Sequence, residues 1–267
     1  MTHPLDDPRI LRNLFYVRKT LAGGNPAAHV HDGRIAVEEE IELGYRLYTT
    51  RPEQPLILYF HGNGEIASDY DDLASFYAVA GVSLLVVDYR GYGWSSGHPL
   101  LTKLLPDAVS VLEALPNLLR AHGMEGAPLV VMGRSLGSAL AIHLAAIFPE
   151  QIAGLIVDSG YAEAPSIFER LGVPLPRDLP GDEVLPLFSA EKMRRVQIPV
   201  LLLHGTEDEL IPFENAKALF AAAPSGQRLL IPIEGAGHNN LIAVRPNLYF
   251  DAVRTFIRRY VLRLEEE

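Results

Sequence analysis

Residues 127–148 read APLVVMGRSLGSALAIHLAAIF. A continuous apolar run, LVVM, leads directly into Gly133-Arg134-Ser135-Leu136-Gly137, and an Ala/Leu/Ile-rich segment of helical periodicity follows. A buried strand that runs straight into Gly-x-Ser-x-Gly and then a helix predicts a sharp strand-to-helix turn that lifts the serine hydroxyl above a sheet and aims the helix N-terminus at the same point. Glycines two positions either side of Ser135 are the expected consequence, because a strained serine folds its flanks together and a Cβ on either would collide. The same pattern recurs at Gly93-Trp94-Ser95-Ser96-Gly97. There the preceding segment is the loop DYRGYG, and His98-Pro99 follows, which opposes a helix start. Ser95 therefore reads as part of a turn, and Ser135 is the candidate nucleophile.

Outward from this stretch the same grammar repeats. Short apolar runs close on Gly or polar residues at 55–62 (PLILYFHG), 82–91 (VSLLVVDYRG), 153–160 (AGLIVDSG), 198–205 (IPVLLLHG) and 227–235 (QRLLIPIEG). Between them, residues 102–119, 135–148, 213–223 and 247–264 carry apolar residues at three- and four-residue spacing. Continuous apolar strands alternating with helices predict an α/β fold with a mostly parallel sheet covered on both faces. Residues 29–50 predict two further strands, around IAVEEEIEL and YRLYTTR, as an antiparallel start to that sheet. Residues 161–196 break the alternation and hold five of the 20 prolines, so they are expected to form a small cap over a sheet end within a single domain spanning 1–267.

Composition closes several function classes. The chain has 267 residues, 48% of them hydrophobic and 21% charged, which suits a globular domain. Its 33 acidic against 23 basic residues give a net charge of −10, so a nucleic-acid partner is not expected. With no cysteine, disulfides, thiolate metal sites, iron–sulfur clusters and a cysteine nucleophile are excluded, and no metal or other cofactor is expected. The opening MTHPLDDPRILRNLFYVRKT lacks the basic start and unbroken apolar run of a signal peptide. No apolar run approaches the ~20 residues of a membrane-spanning helix, and a cytoplasmic location is expected.

A serine hydroxyl near neutral pH needs an imidazole to take its proton and a carboxylate to hold that imidazole. Ligands in open α/β sheets bind beyond the carboxyl ends of the strands, so the partners belong there. His238, in EGAGHNN after the last apolar run, is the candidate base. His61 and His204 also end strands but read as structural hydrogen-bonding residues. Asp208 in Thr206-Glu207-Asp208-Glu209 is the candidate acid, from the order Ser, Asp, His along the chain; Glu207, Glu209 and Asp158 are rivals. Two backbone N–H groups are needed to hold a developing oxyanion. Leu136, next to the serine, supplies one, and Asn63 in His61-Gly62-Asn63-Gly64 is the candidate for the other. Arg134 and Tyr161 are candidate substrate-facing residues.

Taken together, YFHGNGE, DYRGYGWSSG, GRSLGS, HGTEDELIP and GAGHNN resemble the α/β-hydrolase superfamily from about Pro55 to the end. They look like its HGN-type serine hydrolases, which include protein depalmitoylases and Bem46-like proteins. The Cys-rich membrane-targeting segment of the depalmitoylase branch has no counterpart in a chain without cysteine. The resemblance implies an eight-stranded, mostly parallel sheet and cofactor-free cleavage of an ester or thioester in a small-molecule or acylated substrate through an acyl-enzyme. It also favours Asp208 over its neighbours. An amide or peptide-bond hydrolase, with Glu163 and Glu169 binding a substrate amine, and a ligand-binding protein that has lost turnover are the two alternatives.

Overall fold

In the computed structural model, which describes residues 3–23, 29–173, 189–224 and 226–264, the apolar runs form the centre of one eight-stranded sheet. The strands are β1 (Val30–Glu38), β2 (Ile41–Tyr48), β3 (Leu56–Phe60), β4 (Ser83–Val87), β5 (Leu129–Arg134), β6 (Gly154–Asp158), β7 (Val200–Gly205) and β8 (Arg228–Ile233). Their spatial order is β1-β2-β4-β3-β5-β6-β7-β8. β2 pairs antiparallel with β1 and β4, and every other pairing is parallel.

β3 to β7 are buried at almost every position, without alternating, because both faces are covered. Leu56, Leu58 and Phe60 pack with the helices Leu104–Ala121 and Leu136–Ile147 on one side. Ile57 and Tyr59 pack on the other with Tyr77 of Ala74–Val79 and with Tyr249, Val253 and Phe256 of Pro246–Phe256. Each such side chain contributes about 1.5–3 kcal/mol on burial.

The antiparallel start is present, but its turn lies elsewhere than the sequence suggests. IAVEEEIEL is not one strand. The chain reverses at Glu39 and Glu40, where Glu40 adopts a left-handed φ of 64°. A run of glutamates carries no turn signal, whereas Gly44, which looks like a breaker, lies inside β2. Its role there is close approach, since a Cβ on Gly44 would come within 2.5 Å of the Trp94 ring. Of residues 161–196, Ala164–Arg170 and Ser189–Met193 are helical, and the part of the expected cap at 174–188 lies outside the described residues. Sequence patterning overlooked the short helices Pro8–Leu14 and Ala74–Val79, each too brief to display a helical period. Among the described residues no helix is long and apolar enough to cross a membrane.

Candidate active site

The carboxyl ends of β3, β5, β7 and β8 converge on one edge of the sheet, and each delivers one group. At the end of β5, Ser135 has φ 50° and ψ −113°, a backbone conformation that L residues adopt only under constraint. The constraint is visible in the flanking glycines. A Cβ on Gly133 would lie 2.2 Å from the Gly137 carbonyl oxygen, and one on Gly137 would lie 2.0 Å from the Phe60 carbonyl oxygen at the end of β3. The first contact is between the two flanks; the second is with the neighbouring strand. Gly137→Ala is therefore expected to destabilise the fold by about 3 kcal/mol, read as the shift of a denaturant midpoint. A Gly137→Ala protein as stable as the parent would contradict this packing.

The turn places the Ser135 hydroxyl 3.0 Å from His238 Nε2. His238 Nδ1 lies 2.7 Å from Asp208 Oδ2, so the Nδ1 proton is directed to the carboxylate and the Nε2 lone pair faces the serine. The loop bearing His238 reaches this position because β7 ends in glycine: a Cβ on Gly205 would lie 2.2 Å from the Ala236 carbonyl oxygen. Asp208 is itself held from behind, its Oδ1 accepting the N–H groups of Leu210 (3.0 Å) and Ile211 (2.7 Å). Burial alone would raise its pKa. The His204 ring at 3.4 Å, the hydrogen bond and charge of His238, and then the N–H of Ile211 outweigh burial and hold the carboxyl well below the ordinary carboxylate range.

Of the rival acids, Asp158 accepts hydrogen bonds from the hydroxyls of Tyr249 (2.7 Å) and Ser159 (2.8 Å). Among the described residues His238 donates no hydrogen bond to the carboxylate of Glu207 or Glu209. The ring of His204 donates to the Ile211 carbonyl at 2.7 Å and sits 3.4 Å from Asp208 Oδ2, while His61 Nδ1 donates to the Gly62 carbonyl at 2.8 Å. Ser95 is buried, its hydroxyl accepting Gly44 N–H at 2.8 Å and donating to the Asp88 carbonyl at 3.1 Å. That serine joins a loop to β2.

Asn63 and Leu136 both border the cavity in front of Ser135, and among the described hydrogen bonds neither backbone N–H is a donor. Leu136 begins a helix, where no internal acceptor exists for its N–H. The Asn63 side chain has a separate task. Its Oδ1 accepts Tyr16 N–H (3.0 Å) and the Tyr92 hydroxyl (2.7 Å), and its amide donates to the Leu14 carbonyl, which ties the N-terminal segment across the loop. As a result Leu14 and Tyr16 line the cavity together with Ile167, Phe168 and Leu171. Sequence reasoning missed Leu14 and Tyr16. The signal available for them was Asn63, whose amide can bond to backbone on both of its polar atoms. Arg134 and Tyr161 also border the cavity, but the Arg134 guanidinium is already engaged by Glu65, the His238 carbonyl and Asn239.

The family model described as serine aminopeptidase, S33, matches residues 51–173. An uncharacterized protein of Mycobacterium tuberculosis is 30% identical over 227 residues, which cover 84% of this chain and 77% of the relative. The alpha/beta hydrolase domain-containing protein 17C of Xenopus tropicalis is 32% identical over 190 residues, 69% of this chain and 56% of that one. The chain belongs to the α/β-hydrolase superfamily. Among solved structures, an esterase of Pyrococcus furiosus superposes on this hydrolase with a TM-score of 0.74 at 19% identity, covering 92% of this chain and 99% of that one. Est1E of Butyrivibrio proteoclasticus with ferulic acid bound gives 0.69 at 21% identity, covering 86% and 99%. At these identities the two structures share the α/β-hydrolase fold, and the activity of this chain has to be argued from its own site.

Proposed function

We propose that this α/β-hydrolase cleaves a carboxylic ester or thioester through an acyl-enzyme on Ser135. The observation that carries the reading is the unbroken line of contacts from the Ser135 hydroxyl through His238 to a carboxylate kept ionised, at the mouth of an apolar cavity. The Ser135 oxygen attacks the substrate carbonyl carbon while His238 Nε2 takes its proton. The resulting oxyanion lies between the N–H groups of Asn63 and Leu136, each such donor contributing about 3 kcal/mol to the transition state. The tetrahedral species collapses, the carbon–oxygen or carbon–sulfur bond breaks, and His238 returns the proton to the departing alcohol or thiol. Water then repeats the sequence: His238 removes its proton, the acyl carbon is attacked, and the carboxylic acid leaves as the proton returns to Ser135.

The cavity favours an acyl substrate over an amino-terminal peptide. Among the described residues its lining holds no carboxylate to meet a substrate ammonium, and Glu163 and Glu169 are not part of it. Its volume of about 150 Å³ is comparable with cavities that admit a six-carbon ring. On p-nitrophenyl esters, kcat/KM is expected to rise about three- to fourfold per methylene up to roughly six carbons and then fall. Phe168→Ala, which removes bulk from the wall, is expected to move the optimum to longer chains. An unchanged optimum would show that the acyl group binds elsewhere.

The founding test is treatment of the protein with a fluorophosphonate probe, followed by mass spectrometry of the labelled peptide. The adduct is expected on Ser135, together with turnover of the ester series. No labelling and no turnover of esters, thioesters or amides would instead identify a binding protein. His61-Gly62-Asn63 supports the HGN-type resemblance, and that resemblance implies an acylated substrate.

A further inference from the structure

Arg134 stands between Gly133 and Ser135, where the turn needs only its backbone. Its side chain is nonetheless 14% exposed and bridges two loops. One guanidinium nitrogen pairs with Glu65 Oε1, and the other donates to the His238 carbonyl at 2.8 Å and to Asn239 Oδ1 at 2.9 Å. The second oxygen of Glu65 accepts the Gly62 N–H at 2.7 Å and the Tyr70 hydroxyl at 2.7 Å. The contacts run without a gap from the loop that carries Asn63, through one ion pair, to the loop that carries His238. The approach is so close that a Cβ on Gly62 would lie 2.5 Å from Arg134 Nη1.

We propose that Arg134 and Glu65 are positioning residues for the hydrolysis, a half-buried strut that sets the distance between the His238 base and the Asn63 oxyanion donor while keeping the charge beside the imidazole balanced. The proposal rests on the reading of Ser135 and His238 as the reacting pair. Its geometric half follows from the cost of misplacement, since small displacements of an aligned base or oxyanion donor lower rates by large factors. Its electrostatic half follows from burial. Burial acts to raise the Glu65 pKa and to lower that of Arg134, and for both the opposite charge prevails and keeps the pair ionised. Removal of either partner leaves an unbalanced charge near His238. The other groups around His238 are Asp208 on its Nδ1, Asp69, Asp158, Tyr59 and Tyr70 lining the cavity behind it, and Glu207, whose backbone N–H holds the loop at the Ala236 carbonyl.

An unbalanced cation disfavours a protonated imidazole, and an unbalanced anion favours it. The two single variants are therefore expected to move the acidic limb of the pH–rate profile in opposite directions. In Glu65→Gln the limb should shift to lower pH by about half a unit or more, and in Arg134→Gln to higher pH by a similar amount. In the double variant, which removes both charges, the limb should return to its parental position while the rate stays low. In all three, kcat on a p-nitrophenyl hexanoate should fall about tenfold or more with KM within about threefold, and Arg134→Lys should recover the limb position but not the full rate. Parental activity that depends on Ser135, combined with unmoved limbs in both single variants, would overturn the strut. So would an Arg134→Gln effect confined to KM, which would make Arg134 a substrate-binding group. A parent enzyme with no Ser135-dependent turnover would remove the reading beneath it as well. Glu65→Gln is close to isosteric and carries the test even if Arg134→Gln does not fold.

Discussion

Ser135→Ala is expected to lower kcat/KM on any ester substrate by about 10⁴-fold or more and to abolish fluorophosphonate labelling. The expectation is this large because the hydroxyl is the atom that forms the covalent bond, and nothing else at the turn can replace it. Leu136 and Asn63 keep their N–H groups in the variant, so a residual rate above that of water is expected from oxyanion stabilisation. The fold should be little affected, since His238 Nε2 is the described side-chain partner of the Ser135 hydroxyl and the strained backbone is imposed by Gly133 and Gly137. Ser95→Ala makes the matching control. It deletes hydrogen bonds to Gly44 and Asp88, so it should cost about 1–2 kcal/mol of stability and leave kcat unaltered. Labelling or turnover that survives Ser135→Ala would end the assignment of the nucleophile.

Asp208→Asn should be nearly as damaging, at about 10⁴-fold in kcat. The two backbone N–H groups of Leu210 and Ile211 point at Oδ1 and would demand the amide oxygen of an asparagine there. The NH2 group would then face His238 Nδ1, which could only accept, so the imidazole proton would move to Nε2 and the base would present a proton where it needs a lone pair. Stopped-flow or steady-state kinetics of Asp208→Asn and Asp158→Asn separate the rivals. Asp158→Asn should retain turnover within a few-fold, since its carboxylate is bound by Tyr249 and Ser159. The reverse pattern would transfer the acid's role to Asp158.

Much of this arrangement was legible along the chain because it is local. The turn at Ser135 announces itself through a strand, two glycines and a helix that are contiguous, and the loop His61-Gly62-Asn63-Gly64 follows its strand in the same way. Asp208 was harder, because Glu207, Asp208 and Glu209 differ only in which one the loop turns inward. The turn at Glu39 and Glu40 was hidden because nothing about a glutamate signals a left-handed backbone, while the nearby Gly44 lies inside β2 against the Trp94 ring. Leu14, Tyr16 and Glu65 were not legible as parts of the site. Leu14 meets Asn63 across 49 positions and Glu65 meets Arg134 across 69, and no periodicity links residues so far apart.

The amino-acid sequence by itself determined the layered α/β architecture, the strained serine and the strand ends on which partners could stand, because burial on both sheet faces and glycine sterics act on neighbours in the chain. Only the tertiary structure decided which carboxylate meets His238, what encloses the cavity and what Arg134 holds. Those outcomes depend on loops from distant strands arriving at one edge of the sheet, and a hydrogen bond or an ion pair selects its partner by distance in space.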